Sequence, residues 1–122
     1  MNTVLVNVKF AHKITLDVEA NKYDGEMRKA FVTEISQSDV AILKKIFNGI
    51  ALKDIPACPY GGVTLVFSSG EKTLTLYPVG DGCDVVVIKR LGETYSFNVG
   101  DTNYKTMKEM FTKYGVLWPH GL

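Results

Sequence analysis

Apolar and polar residues alternate along most of this chain, and that period of two is the signature of strands that bury one face. Val4, Val6, Val8 and Phe10 alternate with Thr3, Leu5, Asn7 and Lys9, and Ile14, Leu16, Val18 and Ala20 alternate with Thr15, Asp17 and Glu19. A loop at Ala11-His12-Lys13 would set Phe10 against Ile14, Val8 against Leu16 and Val6 against Val18. Asp24-Gly25 is a strong turn signal, because tight hairpin turns need residues that accept positive φ. It pairs Val18 with Phe31 and Ile14 with Ile35. Further on, Ser69-Gly70 closes a hairpin with Val63 opposite Leu76 and Leu65 opposite Leu74. Thr64, Thr73 and Thr75 then form its solvent face. Leu91-Gly92 closes another, pairing Ile88 with Tyr95 and Val86 with Phe97.

Two segments change period. Ser36-Gln37-Ser38-Asp39 reads as a capping box, with Ile35 and Val40 as its hydrophobic staple. It opens a helix over about 37–48 whose apolar stripe is Val40, Leu43, Ile46, Phe47 and Ile50, ended by a left-handed residue at Asn48-Gly49. A second helix spans about 102–114, with Tyr104, Met107, Met110, Phe111 and Tyr114 as its stripe and Gly115 as its stop. Glu109 and Lys113 have the favourable i,i+4 order on its outer surface. Residues 54–62 form a loop, and a short tail docks through Leu117 and Trp118. The order is three strands, a helix, four strands, a helix. We therefore expect one α+β domain over 1–122: a mainly antiparallel sheet of about six or seven strands, built from hairpins and covered by two amphipathic helices.

Composition narrows function by exclusion. A formal net charge of +1 gives no field to recruit nucleic acid or an anionic membrane. No apolar run reaches the roughly 20 residues that span a bilayer, so membrane insertion is not expected. Residues 1–10 alternate rather than run apolar, unlike a signal peptide. A cytoplasmic location fits the chain as it stands; a secreted or cell-envelope location fits if a leader or larger context has been removed.

Cys58 and Cys83 carry the most specific signal. Both sit in turn-rich segments, one before the first strand of the middle hairpin and one after its partner. Both therefore lie at the end away from Ser69-Gly70, where they could be neighbours. Three states stay open: a disulfide, two independent thiols, or a metal or redox role. The disulfide would close a loop of about 25 residues, worth roughly 3 to 3.5 kcal/mol in the chain-entropy model. There is no Cys-x-x-Cys, and a zinc site could draw only on His12 and His120, both read as solvated. Nucleophile motifs and phosphate-cradling glycine patterns are absent. Asp81 and Asp84 could form an acid/base or cation pair, but loop carboxylates are usually solvated. No catalytic residue, metal or cofactor is assigned, and no enzyme is expected. Tyr23, Tyr60, Asp81 and Trp118, in loops or the tail, are the candidate binding surface, because interfaces favour Tyr and Trp.

Residues 57–116 carry the order Cys-Pro-Tyr-Gly, Leu-Thr-Leu-Tyr-Pro, Asp-Gly-Cys, Tyr-Ser-Phe-Asn-Val and Lys-Tyr-Gly-Val. This resembles small uncharacterised domains of Gram-positive bacteria, found alone or attached to membrane-associated or secreted proteins. The resemblance implies no known activity; it implies a bacterial interaction or regulatory module, at the cell envelope in some contexts. The expected function is a non-enzymatic binding or regulatory module with a protein partner. The alternatives are a small enzyme or metal/redox site at the two cysteines, and a structural domain that self-associates.

Overall fold

The computed structural model describes residues 2–54, 58 and 60–120. Five strands come first: β1 (Thr3–Val6), β2 (Lys13–Val18), β3 (Asn21–Tyr23), β4 (Glu26–Arg28) and β5 (Phe31–Glu34). Helix α1 (Gln37–Ile46) leads into β6 (Gly49–Lys53), and then come β7 (Val63–Ser69), β8 (Lys72–Pro78), β9 (Val85–Arg90), β10 (Glu93–Asn98) and α2 (Asp101–Lys113). Eight strands form one sheet in the order β1-β6-β10-β9-β8-β7-β2-β5, and β3 and β4 form a separate two-stranded ribbon. Every pairing is antiparallel. The α+β class and its antiparallel sheet are as expected, with eight strands in place of six or seven.

One face of the sheet carries the core. Val6, Ile14, Leu16, Leu65, Phe67 and Leu76 point there and are buried. The apolar stripes of α1 (Val40, Leu43, Ile46) and α2 (Tyr104, Met107, Met110, Phe111) pack into the same cluster. Phe47 meets Phe67 edge to face with centroids 5.6 Å apart. Truncating a buried ring such as Phe67 to Ala would cost about 3–5 kcal/mol.

Turns with positive φ fixed the strand registers most firmly. Asp24 and Gly25 (φ 52° and 82°) and Leu91 and Gly92 (φ 51° and 79°) both lie at hairpin turns. Val18 faces Phe31, Tyr95 faces Ile88 and Phe97 faces Val86, all as expected. The Ile35 amide bonds the Ile14 carbonyl, as that register requires.

Four expectations are corrected. First, β1 and β2 are not a hairpin. The chain turns at Val8, whose carbonyl accepts from the Ala11 amide at 3.1 Å, and β1 instead pairs with β6, Val6 facing Gly49. Alternation dictates which side chains are buried but not which strand lies alongside. Second, the β7–β8 register is shifted by two residues: Leu65 faces Leu76 and Phe67 faces Leu74, because the turn is Gly70-Glu71. A two-residue shift leaves the same side chains inward, so Thr64, Thr73 and Thr75 still lie partly or fully exposed.

Third, α1 ends at Ile46, and residues 49–53 form a strand. Neither Asn48 nor Gly49 has a positive φ. Gly49 is small for another reason: a Cβ there would lie 3.2 Å from Cδ2 of Phe97. Ile50 leaves the helix stripe and becomes an exposed residue of β6. Fourth, the capping box does not form through side chains, since Ser36 makes no cap hydrogen bond. Asp39 instead binds Lys113 Nζ at 2.6 Å and the Tyr114 hydroxyl at 2.7 Å, and so ties the two helices together. Lys113 is thereby committed to Asp39 rather than to an i,i+4 pair with Glu109.

Candidate functional site

The end of the sheet away from Gly70 collects most of the residues singled out from the sequence. β8 finishes at Pro78; Val79 then bridges to Tyr60 and Gly80 to His120. The chain turns through Asp81 and Gly82, the latter at φ 103°, before Cys83. Asp81 Oδ1 accepts from the Cys83 amide at 3.2 Å, a local turn contact. Tyr104, in the first turn of α2, clamps the segment: its hydroxyl donates to the Val79 carbonyl at 3.2 Å and accepts from the Gly82 amide at 3.1 Å. Burial raises the Tyr104 pKa and the charge of Asp81 adds to this, against the Gly82 hydrogen bond.

Cys58 and Cys83 form a disulfide, with sulfurs 2.08 Å apart. It ties the segment before β7 to the turn after β8, so the placement read from the hairpin order holds. The Asp81 carboxylate lies within 4.8 Å of both sulfurs. Each sulfur is bonded to the other, so neither is present as the thiolate that metal binding requires. The Asp81–Asp84 pair also separates in role. Asp84 accepts from the Asn98 side chain at 2.8 Å and the Gly100 amide at 3.0 Å, anchoring the entry to α2.

The tail runs along this corner. Trp118 Nε1 donates to Thr112 Oγ1 at 3.1 Å, its ring meets Tyr104 at 5.9 Å and it lies 4.3 Å from the His120 ring. Docking through Trp118 is as expected, but Leu117 is exposed and Val116 is the buried partner. His120 is buried, against the solvated reading, while His12 is exposed. Burial lowers the His120 pKa to about 4, and Arg28 pushes it the same way; the Gly61 backbone and Asp81 oppose them. Even so, neither ring nitrogen makes a well-formed hydrogen bond among the described residues. Gly80 lies directly beneath this ring, where a Cβ would come within 2.3 Å of its Cγ.

Of the four candidate surface residues, two share a hollow. Asp81 and Trp118 line a shallow depression of about 320 Å³ with Gly80, Gly82, Lys108 and Pro119. Tyr60 sits beside Tyr77 at 6.4 Å, with Lys89 Nζ 5.4 Å from its ring. Tyr23 belongs to the β3–β4 ribbon, and its side chain lies outside the described residues. The structure also shows a surface the sequence reading missed. Leu5, Ile50 and Leu52 are 72%, 63% and 58% exposed on adjacent strands. Leu5 faces Ile50 directly, and Leu52 follows two residues along β6 on the same face. The signal was the alternation of Gly49–Lys53, which the helix assignment of Ile50 obscured.

No family model matches the chain, and neither a curated protein nor a solved structure matches it. Among the described residues, no helix is long and apolar enough to cross a membrane.

Proposed function

We propose that this chain is a non-enzymatic binding module that takes an extended segment of a protein partner along β1. The observation that carries the proposal is the exposed Leu5–Ile50–Leu52 strip beside an edge strand. Among the described residues β1 has a sheet neighbour on one side only, so its other side offers backbone donors and acceptors to an added strand. The apolar strip supplies side-chain contacts next to that edge, and contiguous exposed apolar surface of this kind marks interaction sites. A near-neutral chain favours such a partner over nucleic acid or an anionic membrane. The Cys58–Cys83 bond favours an oxidising compartment, in keeping with the cell-envelope setting implied by the resemblance of residues 57–116.

The test compares capture of host proteins by the wild type and by a Leu5→Glu/Leu52→Glu variant whose melting temperature is unchanged. A partner that binds the purified wild type in calorimetry and is lost with the variant supports the proposal. Equal binding by both proteins overturns it. A wild-type dimer that the variant converts to monomer also overturns it, in favour of self-association.

A further inference from the structure

β1 presents its open side through particular residues. The Lys53 amide donates to the Asn2 carbonyl at 2.9 Å, in register with the β1–β6 ladder. Hydrogen-bonded and non-hydrogen-bonded pairs alternate along antiparallel strands. Val4 and Val6 therefore turn their backbone groups towards β6, while Thr3 and Leu5 turn theirs to the open edge. The pattern continues past the strand, where the Val8 amide donates to Asn48 Oδ1 at 3.0 Å.

A basic hollow lies at the exit from β1. Lys9, Lys44 and Lys45 line it with Ala41 and Asn48. Val6 faces Gly49 and the Val8 amide holds Asn48, which brings the last turn of α1 beside this end of the strand. Lys9 and Lys45 are exposed and Lys44 is half-buried. No Asp or Glu lines the hollow, and among the described residues none of these lysines makes a salt bridge. The two hollows beside Lys108 differ, since Glu109 lines one and Asp81 the other. The negative end of the α1 dipole favours Lys44 and Lys45 in this place but leaves their charge open to a partner.

We propose that the protein segment taken up along β1 is acidic at the end that passes Lys9, Lys44 and Lys45. This deepens the reading of β1 as a strand-accepting edge, and rests on it. Lys9 follows Leu5 closely in the chain, at most about 13 Å away, so one extended segment of about six to eight residues reaches both the edge and the hollow. Its backbone meets the outward groups of Thr3 and Leu5, and its Asp or Glu side chains meet the lysines. Lysine is a point charge on a flexible stem, which suits mobile carboxylates better than it suits one fixed anion. Charge complementarity of this kind sets register and direction, and so fixes which way the segment lies along β1.

Peptides blocked at both ends, sharing a stretch of alternating Val and Thr and finishing in a run of Glu, of Ser or of Lys, test the proposal. Binding is read by calorimetry and by amide shifts in NMR spectra. At low salt the Glu peptide binds about tenfold more tightly than the Ser peptide, the combined worth of a few exposed ion pairs, and the Lys peptide binds most weakly. Shifts appear at Thr3 and Leu5 and at Lys9, Lys44 and Lys45. Raising the salt to about 0.5 M removes the preference. Lys9→Gln/Lys44→Gln/Lys45→Gln, with an unchanged melting temperature, binds the Glu and Ser peptides equally. Equal binding of these two by the wild type, a preference for the Lys peptide, or an unchanged preference in the lysine variant overturns this proposal and leaves the β1 reading standing. Shifts confined to the lysines, or no binding of any peptide at millimolar concentration, overturn both. Should the lysine variant fail to fold, the wild-type ranking and its salt dependence decide alone.

Discussion

Tyr114 closes α2 onto the start of α1 by donating its hydroxyl proton to Asp39 Oδ2 at 2.7 Å. The Tyr114 hydroxyl oxygen in turn accepts from the Ser36 amide at 2.9 Å. A residue 78 positions away thus satisfies an amide next to the start of α1, in place of a reciprocal capping box. Tyr114→Phe removes both contacts and should destabilise the protein by about 1–2 kcal/mol, read from urea midpoints.

Asp39 makes stability depend on acid. Its pKa is lowered, chiefly by the hydrogen bond from Lys113 and then by that from Tyr114. A depressed carboxyl stabilises the folded state above its unfolded pKa, about 3.9, and that contribution disappears as pH falls through the folded value. Asp39→Asn should therefore be less stable than wild type at pH 7, and the difference should shrink below pH 4. A constant difference across that range in urea titrations would contradict the assignment.

His120 titrates in a different window. Its folded pKa, about 4, lies below the unfolded value near 6.5, so the unfolded or undocked tail gains a proton first. Docking of the tail should weaken as pH falls from about 6.5 to 4. Trp118 is the single tryptophan, so its emission reports the change directly. His120→Phe should leave that emission unaltered across the window.

Gly80 is the contact point for the tail. Gly80→Ala would place a methyl group against the His120 ring and should cost about 1–3 kcal/mol. The predicted signature is a red-shifted, more quenchable Trp118 with near-native far-UV circular dichroism.

Breaking the disulfide should cost roughly 3 kcal/mol, because the sequence separation of 25 residues sets the loop it closes. For a chain of this length that is a fall of roughly 10 °C in melting temperature. Cys58→Ser/Cys83→Ser and the reduced wild type should melt together, by calorimetry.

Leu91 is fully exposed and holds φ at 51°, a conformation unfavourable for a branched apolar residue. Leu91→Asn supplies the residue that this turn prefers before Gly92 and should raise stability by about 0.5–1 kcal/mol. Thermal melts of the two proteins check this.

What the sequence conveyed follows from how each feature is encoded. Ile14, Leu16 and Phe67 lie inward because alternation is a local property, visible in a few residues. Asp24-Gly25 and Leu91-Gly92 set registers correctly because positive φ is also local. The partner of β1 was not legible: Val6 has the same alternation whether it faces Val18 or Gly49. The two-residue shift at Gly70-Glu71 was hidden for a related reason, since both registers bury Leu65 and Leu76. At the candidate site, the hairpin order put Cys58 and Cys83 at the same end, and the bond between them is what the structure adds. The burial of His120 did not, because it depends on an absent side chain at Gly80, forty residues earlier. The apolar strip was lost when Ile50 was assigned to a helix.

The sheet order also sets a timetable for synthesis. β1 emerges first but has no partner until β6 exists, and β6 reaches the rest of the sheet only through β10, near residue 98. β2 and β5 can pair early, yet β2 waits for β7 on its other side. A ribosome-bound chain therefore carries the Leu5 strand unpaired through much of its elongation. The strip offered to a partner in the finished fold is thus a hazard during its making, when nascent chains most need a chaperone.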